Sequence, residues 1–189
     1  LTQKLLLKAL YENWQDVSAI RAAEKLEVSR MSITRCFDEI ETMGMTFLKM
    51  KGRSRRFFSL NDKKAMWEEM RPFLRNPVIR EFRLERKPDV EMVLSGISAL
   101  AEYSMLSEDS YVTYAVGKSQ VGVLGLRLAQ EVPRNDEPIC IVQEVGYILP
   151  FKEGRAVDPL SLTLMLSDKE LEDPRVEKCM NEMLRELVW

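Results

Sequence analysis

Arginine and hydroxyl side chains are concentrated at the start of one segment, EVSRMSITRCFDEIETMG, which covers residues 27–44. Guanidinium and hydroxyl groups donate hydrogen bonds to phosphates and to base edges, whereas carboxylates are repelled by phosphates. After Glu27 at its start, the segment has the first kind of group in its first half and carboxylates in its second half. This polarity predicts a helix that enters the major groove of duplex DNA with its N-terminal end. The candidate contact residues are Ser29, Arg30, Ser32, Thr34 and Arg35, and the acids that follow are Asp38, Glu39 and Glu41.

A second group of cations surrounds Gly52 in KMKGRSRR, and the β-prone residues on both sides predict a hairpin. Its candidate DNA contacts are Lys51, Arg53, Arg55 and Arg56. Arginine in such a loop suits both phosphates and the minor groove. We expect at least two of Lys51, Arg53 and Arg55 to reach the DNA backbone together, while strand alternation can turn Arg56 toward the protein. The alternative is a solvated basic loop.

The apolar positions of residues 30–43 indicate which side of this helix is buried. At ~100° per residue, Ile33, Phe37 and Ile40 fall on one side, which we expect to be core. Met31 falls on the opposite side with Arg35. Two roles stay open for Met31: contact with a thymine methyl group, or a place at the edge of the core.

Charge is distributed unevenly along the 189 residues, although the net charge is only −2. Residues 1–60 contain 11 lysines and arginines against 7 acids, a net of +4, and residues 61–189 contain 17 against 23, a net of −6. Such an asymmetry suggests different partners for the two parts of the chain.

The composition argues against an enzyme. The chain has no histidine, and its three cysteines are far apart, which favours a reducing compartment over a disulfide framework. The run Gly117-Lys118-Ser119 is similar to the end of a phosphate-binding loop, but Val112 stands where that motif requires glycine. We therefore predict no catalytic residue, no cofactor and no metal site. No apolar run approaches the ~18 residues that span a bilayer, and we expect a cytoplasmic protein without a membrane partner.

The order of predicted elements indicates an α+β chain with two domains. Ser18 and Ser29 are predicted helix caps, and Gly44 ends the third helix. We place a DNA-binding domain at 1–61, a linker helix at 62–77 and a mixed α/β domain at 78–189. In the last domain, VIREFRL, YVTYAV and PICIVQEVGYIL are predicted strands, and helices are predicted at 90–105, at about 119–130, in AVDPLSLTLML and in DPRVEKCMNEMLREL.

The stretch AIRAAEKLEVSRMSITRCFDEIETMG, followed by the basic hairpin, resembles the winged helix-turn-helix regulators, including the MarR-like group. The resemblance covers roughly the first third of the chain. It departs from the pattern at Glu27, where the tight turn often has glycine. The resemblance implies an N-terminal winged helix that binds double-stranded DNA and serves transcription regulation.

The segments SALAEYSML, DPLSLTLML and DPRVEKCMNEMLRELVW are similar to the C-terminal region of antitoxin-like regulators, which are encoded beside nucleotidyltransferase toxins in bacterial abortive-infection systems. The resemblance covers about residues 78–189 and implies no site residue. It implies a bacterial repressor that binds its own promoter. The alternative is an antitoxin-like protein whose C-terminal domain binds a partner toxin, with autoregulatory DNA binding. We also expect a homodimer, formed through the C-terminal domain and its final helix with Leu184, Leu187 and Trp189, and leave open a small-molecule effector.

Overall fold

The computed structural model of the chain describes residues 1–107, 110–126, 131–133, 136–152 and 154–189. They form two compact units, Leu1–Leu74 with Trp189, and Arg75–Val188. Helices occur in both units together with two separate sheets, which confirms the predicted α+β class. The helix that we predicted as a linker within residues 62–77 belongs to the first unit, because the division falls after Leu74.

The first unit begins with three helices whose ends follow the predicted capping residues. Ser18 Oγ accepts a hydrogen bond from the Arg21 N–H, and Ser29 Oγ accepts one from the Ser32 N–H. Gly44 follows the third helix with a left-handed φ of 73°, which a residue without Cβ adopts at little cost. The helices are α1 (Thr2–Glu12), α2 (Ala19–Leu26) and α3 (Arg30–Thr42).

A three-stranded antiparallel sheet completes this unit. Its strands are β1 (Val17–Ser18), β2 (Leu48–Lys51) and β3 (Ser54–Phe57), in the order β1-β3-β2. The predicted hairpin is formed by β2 and β3, and Gly52 turns it with a φ of 61°. The helix α4 (Lys63–Met70) then starts after its cap Asp62 and continues into one 3-10 turn, Arg71–Phe73.

Aromatic packing attaches the base of the hairpin to the helices. The ring of Phe57, the last residue of β3, is fully buried. Its centroid lies 5.8 Å from those of Trp14 and Phe47 and 6.4 Å from that of Phe37 on α3. Because aromatic side chains bury large areas in fixed geometries, these contacts hold the hairpin in one position on α3.

The second unit contains a four-stranded mixed sheet with helices. Its strands are β4 (Val78–Leu84), β5 (Val93–Leu94), β6 (Val112–Gly117) and β7 (Cys140–Val145), in the order β4-β7-β6-β5. Only the β6–β7 pairing is parallel among the described strand pairs. The helices are α5 (Gly96–Tyr103), α6 (Lys118–Val123), α7 (Pro159–Met165), α8 (Asp168–Leu171) and α9 (Pro174–Leu187).

Two helix predictions in this unit were partly wrong. The helix predicted at 90–105 begins only at Gly96, because Val93 and Leu94 pair with β6 instead. The helix predicted at about 119–130 begins at Lys118, and α6 ends at Val123. The second half of the helix predicted at about 119–130 includes residues 127–130, which lie outside the described residues. Among the described residues, no helix has the length and apolar character that crossing a bilayer requires.

Candidate nucleic-acid interface

The structure brings the five residues predicted on the recognition helix together at the start of α3. Ser29, Arg30 and Arg35 are exposed, and Ser32 and Thr34 are half-buried. The apolar positions Ile33, Phe37 and Ile40 on the other side are buried, as expected. The cations of α3 therefore lie on its outer face, near its N-terminal end.

The hydroxyl groups of this cluster already take part in local hydrogen bonds. Ser29 Oγ lies 3.1 Å from the Ser32 amide nitrogen and 2.9 Å from Ser32 Oγ. Thr34 Oγ1 donates to the Arg30 carbonyl oxygen over 3.1 Å. In contrast, neither Arg30 nor Arg35 forms an ion pair with a carboxylate of the described residues. The two guanidinium groups are thus the strongest donors that this face offers to a ligand.

The turn between α2 and α3 fixes the direction of α3. Glu27 has φ 56° and ψ 45°, the left-handed conformation in which glycine is more usual. The Val28 N–H donates to the Ala23 carbonyl oxygen over 3.0 Å and closes the end of α2. The departure from glycine at position 27 therefore does not alter the shape of the turn.

The hairpin cations differ from one another in their surroundings. Arg53 is exposed beside the turn and forms no ion pair with a described carboxylate. Lys51 forms an ion pair with Asp16, and Arg56 Nε lies 3.9 Å from Asp16 Oδ1. The hydrogen bond from Lys51 lowers the pKa of Asp16 below its ordinary value. Among the four predicted hairpin contacts, Arg53 is therefore the one without a carboxylate partner in the described chain.

Sequence reasoning missed Asp16, which joins the start of β1 to the hairpin. The residue precedes β1 with a φ of 55°, and its carboxylate faces Lys51 and Arg56. The pairing depends on the antiparallel contact of β1 with β3, which aligns Val17 with Phe57. Because β1 has only two residues, it is too short to show the alternation of apolar and polar residues that predicts a strand.

Arg55 faces α3 rather than the outer side of the hairpin. Its Nη1 atom lies 2.7 Å from Asp38 Oδ1 and 2.7 Å from Glu41 Oε2, and its guanidinium carbon lies 5.8 Å from the Phe37 ring centroid. The side chain is 22% exposed. We call Arg55, Asp38 and Glu41 the Arg55 cluster. It gives two acids of the second half of α3 a cationic partner within the protein itself.

The second unit contains a broad groove of about 1240 Å³ beside β4 and β7. Its floor includes buried Gln143, whose Nε2 donates to Glu81 Oε1 over 2.7 Å and whose Oε1 accepts from Ser95 Oγ over 2.6 Å. Cations and acids alternate around its rim, among them Lys169, Glu170, Arg175 and Glu182. The groove therefore offers no single sign of charge that would select a ligand class.

Within the described ranges, no cluster of three or more cysteine and acidic side chains could hold a metal ion. Comparison of the chain with protein families, with curated proteins and with solved structures yields no match. The functional conclusion consequently depends on the residues of α3 and the hairpin.

Proposed function

We propose that the chain is a sequence-specific double-stranded DNA-binding transcriptional regulator, in which the first unit acts as a winged helix-turn-helix. Helix α3 is the recognition helix in this proposal, and the β2–β3 hairpin is the wing. The observation that supports it most is the exposed pair Arg30 and Arg35 on the outer face of α3, unpaired by any described carboxylate. Such donors suit guanine edges and phosphates.

The arrangement of elements supports the same proposal. Helix α3 follows α2 after a tight turn at Glu27, and the hairpin packs beside α3 through Phe57 and the Arg55 cluster. In a DNA complex of this kind, α3 enters the major groove while Arg53 at the hairpin turn contacts the adjacent backbone. Two carboxylates of the second half of α3, those of Asp38 and Glu41, have Arg55 as a neighbour, which reduces their repulsion of phosphates.

The test is a titration of the full chain with a pool of random-sequence duplexes, followed by enrichment of the bound fraction. We expect sequence-selective binding. The logarithm of the binding constant should fall linearly with the logarithm of the salt concentration. Each cation that neutralises a phosphate contributes roughly −0.9 to this slope. The variant with Arg30, Arg35 and Arg53 replaced by alanine should lose this binding.

A matched control removes the same number of charges from the second unit. Replacement of the exposed Lys169, Lys178 and Arg185 by alanine should leave the affinity and the salt slope near those of the wild type. Absence of duplex binding by the wild-type chain, or equal losses in the two triple variants, would overturn the proposed function.

A further inference from the structure

Met31 exposes an apolar side chain on the candidate recognition face. It is 67% exposed and lies on the side of α3 opposite the buried Ile33 and Phe37. The exposure removes one of the two roles that the sequence left open, because Met31 is not part of the core. A long apolar side chain in water has an unfavourable hydration that a contact with another apolar group relieves.

The neighbours of Met31 indicate what kind of surface would cover it. Arg30 precedes it, and Arg35 Nη2 lies 3.9 Å from Met31 Sδ. The methionine therefore lies between two exposed cations that no described carboxylate pairs. A partner that is complementary to this surface has an apolar group facing Met31 and negatively charged groups facing Arg30 and Arg35. In the major groove of DNA, the C5-methyl group of thymine supplies that apolar group among phosphates and base acceptors.

We propose that Met31 determines specificity by contacting the C5-methyl group of a thymine in the operator, an inference that rests on the proposed function. The 3.9 Å separation between Met31 Sδ and Arg35 Nη2 is close to the 3.4 Å spacing of successive nucleotides along one strand. Met31 and Arg35 accordingly contact neighbouring bases. Since arginine most often binds guanine, the recognised step contains a thymine next to a guanine.

The first experiment removes only the methyl group from the DNA. The tightest duplex selected from a random pool by the full chain is resynthesised with deoxyuridine at one thymine position at a time. Loss of one buried methyl contact should weaken wild-type binding about fourfold at one position of the half-site. The Met31→Ala variant should bind the thymine and deoxyuridine duplexes equally, while Met31→Leu, which keeps an apolar side chain, should retain a preference for thymine.

Met50 provides the matched control, because it is a methionine of the same unit with 66% exposure that lies on β2 of the hairpin. Met50→Ala should keep the wild-type preference for thymine. The thermal midpoints of all three variants should match that of the wild type, since both side chains are exposed.

Three outcomes overturn the inference. They are a wild type that is indifferent to every thymine methyl, a Met31→Ala variant that keeps the preference, and a preference lost only in Met50→Ala. In each of these outcomes, the proposed function still holds if the wild type binds duplex DNA with sequence selectivity and salt dependence. A wild type that binds no duplex would overturn both.

Discussion

At the scale of single residues, the two arginines of α3 differ from the hydroxyl residues beside them. Ser29, Ser32 and Thr34 are used by the helix itself, whereas Arg30 and Arg35 have no carboxylate partner in the described chain. We therefore predict that Arg30→Ala and Arg35→Ala each weaken operator binding by about 1–3 kcal/mol and relax the sequence preference. Quantitative mobility shifts on the selected duplex and on single-base variants measure both effects.

Arg71 is a suitable control for these two variants, as an exposed arginine of the same unit that lies outside α3 and the hairpin. Arg71→Ala should change neither the affinity nor the preference. Unchanged affinity and preference in both Arg30→Ala and Arg35→Ala would reject α3 as the recognition helix.

Glu12 provides a residue-scale prediction about pH. Partial burial raises the pKa of its carboxyl group, but hydrogen bonds from Lys25, Lys8 and Trp14 outweigh that effect and lower the pKa to about 2. Because the folded pKa lies below the ordinary value of 4.5, the ionised pair stabilises the protein above that value and loses its effect as pH falls toward 2. The contribution is at most ~1 kcal/mol, since Glu12 is about a third exposed and screened by solvent.

The measurement is urea unfolding of the full chain at pH 7 and at pH 3. Glu12→Gln should lower the free energy of unfolding at pH 7 and reduce its loss between the two pH values. Glu24→Gln removes the more exposed pair with Arg21 and should leave the pH dependence as in the wild type. An equal pH dependence in Glu12→Gln and the wild type would contradict the role of this carboxylate.

At the scale of elements, local signals predicted the parts of the fold that local chemistry determines. Ser18, Ser29 and Asp62 cap the helices that were predicted to follow them, and Gly52 turns the predicted hairpin. The contacts that distinguish the hairpin cations could not be read in this way. Arg55 meets α3 through the register of β2 on β3 and the packing of Phe57, which join residues far apart in sequence.

The short elements were missed for two different reasons. The strands β1 and β5 have two residues each, too few for an alternating pattern, and their pairing is long-range. Helix α8 does carry a local signal, because Ser167 and Glu170 form a capping box at its start. A search for the serine-x-x-glutamate spacing would have found it.

The turn between α2 and α3 allows a prediction about stability. For a residue with a Cβ atom, adopting the left-handed conformation costs about 1–2 kcal/mol. Glycine does not incur this cost, but its greater conformational freedom in the unfolded chain cancels part of the resulting increase in stability. Glu27→Gly should therefore raise the free energy of unfolding by roughly 0.5 kcal/mol. Glu24→Gly, inside right-handed α2, should lower it by ~1 kcal/mol in the same urea titration. A loss of stability in Glu27→Gly would show that the glutamate side chain stabilises the turn.

The hairpin and α3 together predict different roles for Arg53 and Arg55. Arg53→Ala should flatten the slope of log affinity against log salt by roughly 0.9, with no change in the free energy of unfolding, because its side chain is free to contact phosphate. Arg55→Ala should instead lower the free energy of unfolding by about 1 kcal/mol, since it removes two ion pairs and the contact with Phe37.

Salt titrations and urea unfolding of both variants separate these roles. Arg55→Lys, which keeps the charge but not the planar fork, should recover only part of the stability. A flattened salt slope in Arg55→Ala with unchanged stability would assign Arg55 to the DNA backbone. The Arg55 cluster would then have to open in the complex.

At the scale of the whole molecule, the basic part of the chain coincides with the first unit. Residues 1–60 carry 11 basic against 7 acidic side chains, but the ion pairs of Lys51 and Arg55 use some of this excess within the protein. Among the cations that we predicted to contact DNA, Arg30, Arg35 and Arg53 are therefore the ones without a carboxylate partner in the described residues. In general, a single DNA-binding unit of this size makes few contacts with a duplex, and specificity at the level of a genome favours two units on paired half-sites.

This requirement leads to the prediction of a homodimer formed through the second unit. We expected the final helix to form the dimer surface with Leu184 among its contact residues. Leu184 is only 6% exposed and is therefore not accessible to a partner subunit. The residues that α9 turns outward are charged or polar, among them Arg175, Glu177, Lys178 and Arg185. Leu187 and Trp189 are half-buried, so these two residues of the predicted dimer surface keep some exposed area.

Sedimentation of the full chain and of residues 1–74 tests this prediction, with circular dichroism to verify that the shorter chain is folded. We expect a dimer for the full chain and a monomer for residues 1–74, because the first unit has its own core and the predicted dimer contacts lie outside residues 1–74. A footprint of the full chain should then show two half-sites about 10–10.5 base pairs apart, related by two-fold symmetry. Removing the second unit should leave contacts at single half-sites and weaken binding, since the second recognition helix is no longer tethered to the first. A full chain that remains monomeric at micromolar concentration and protects one asymmetric site would mean that a single winged helix supplies all of the specificity.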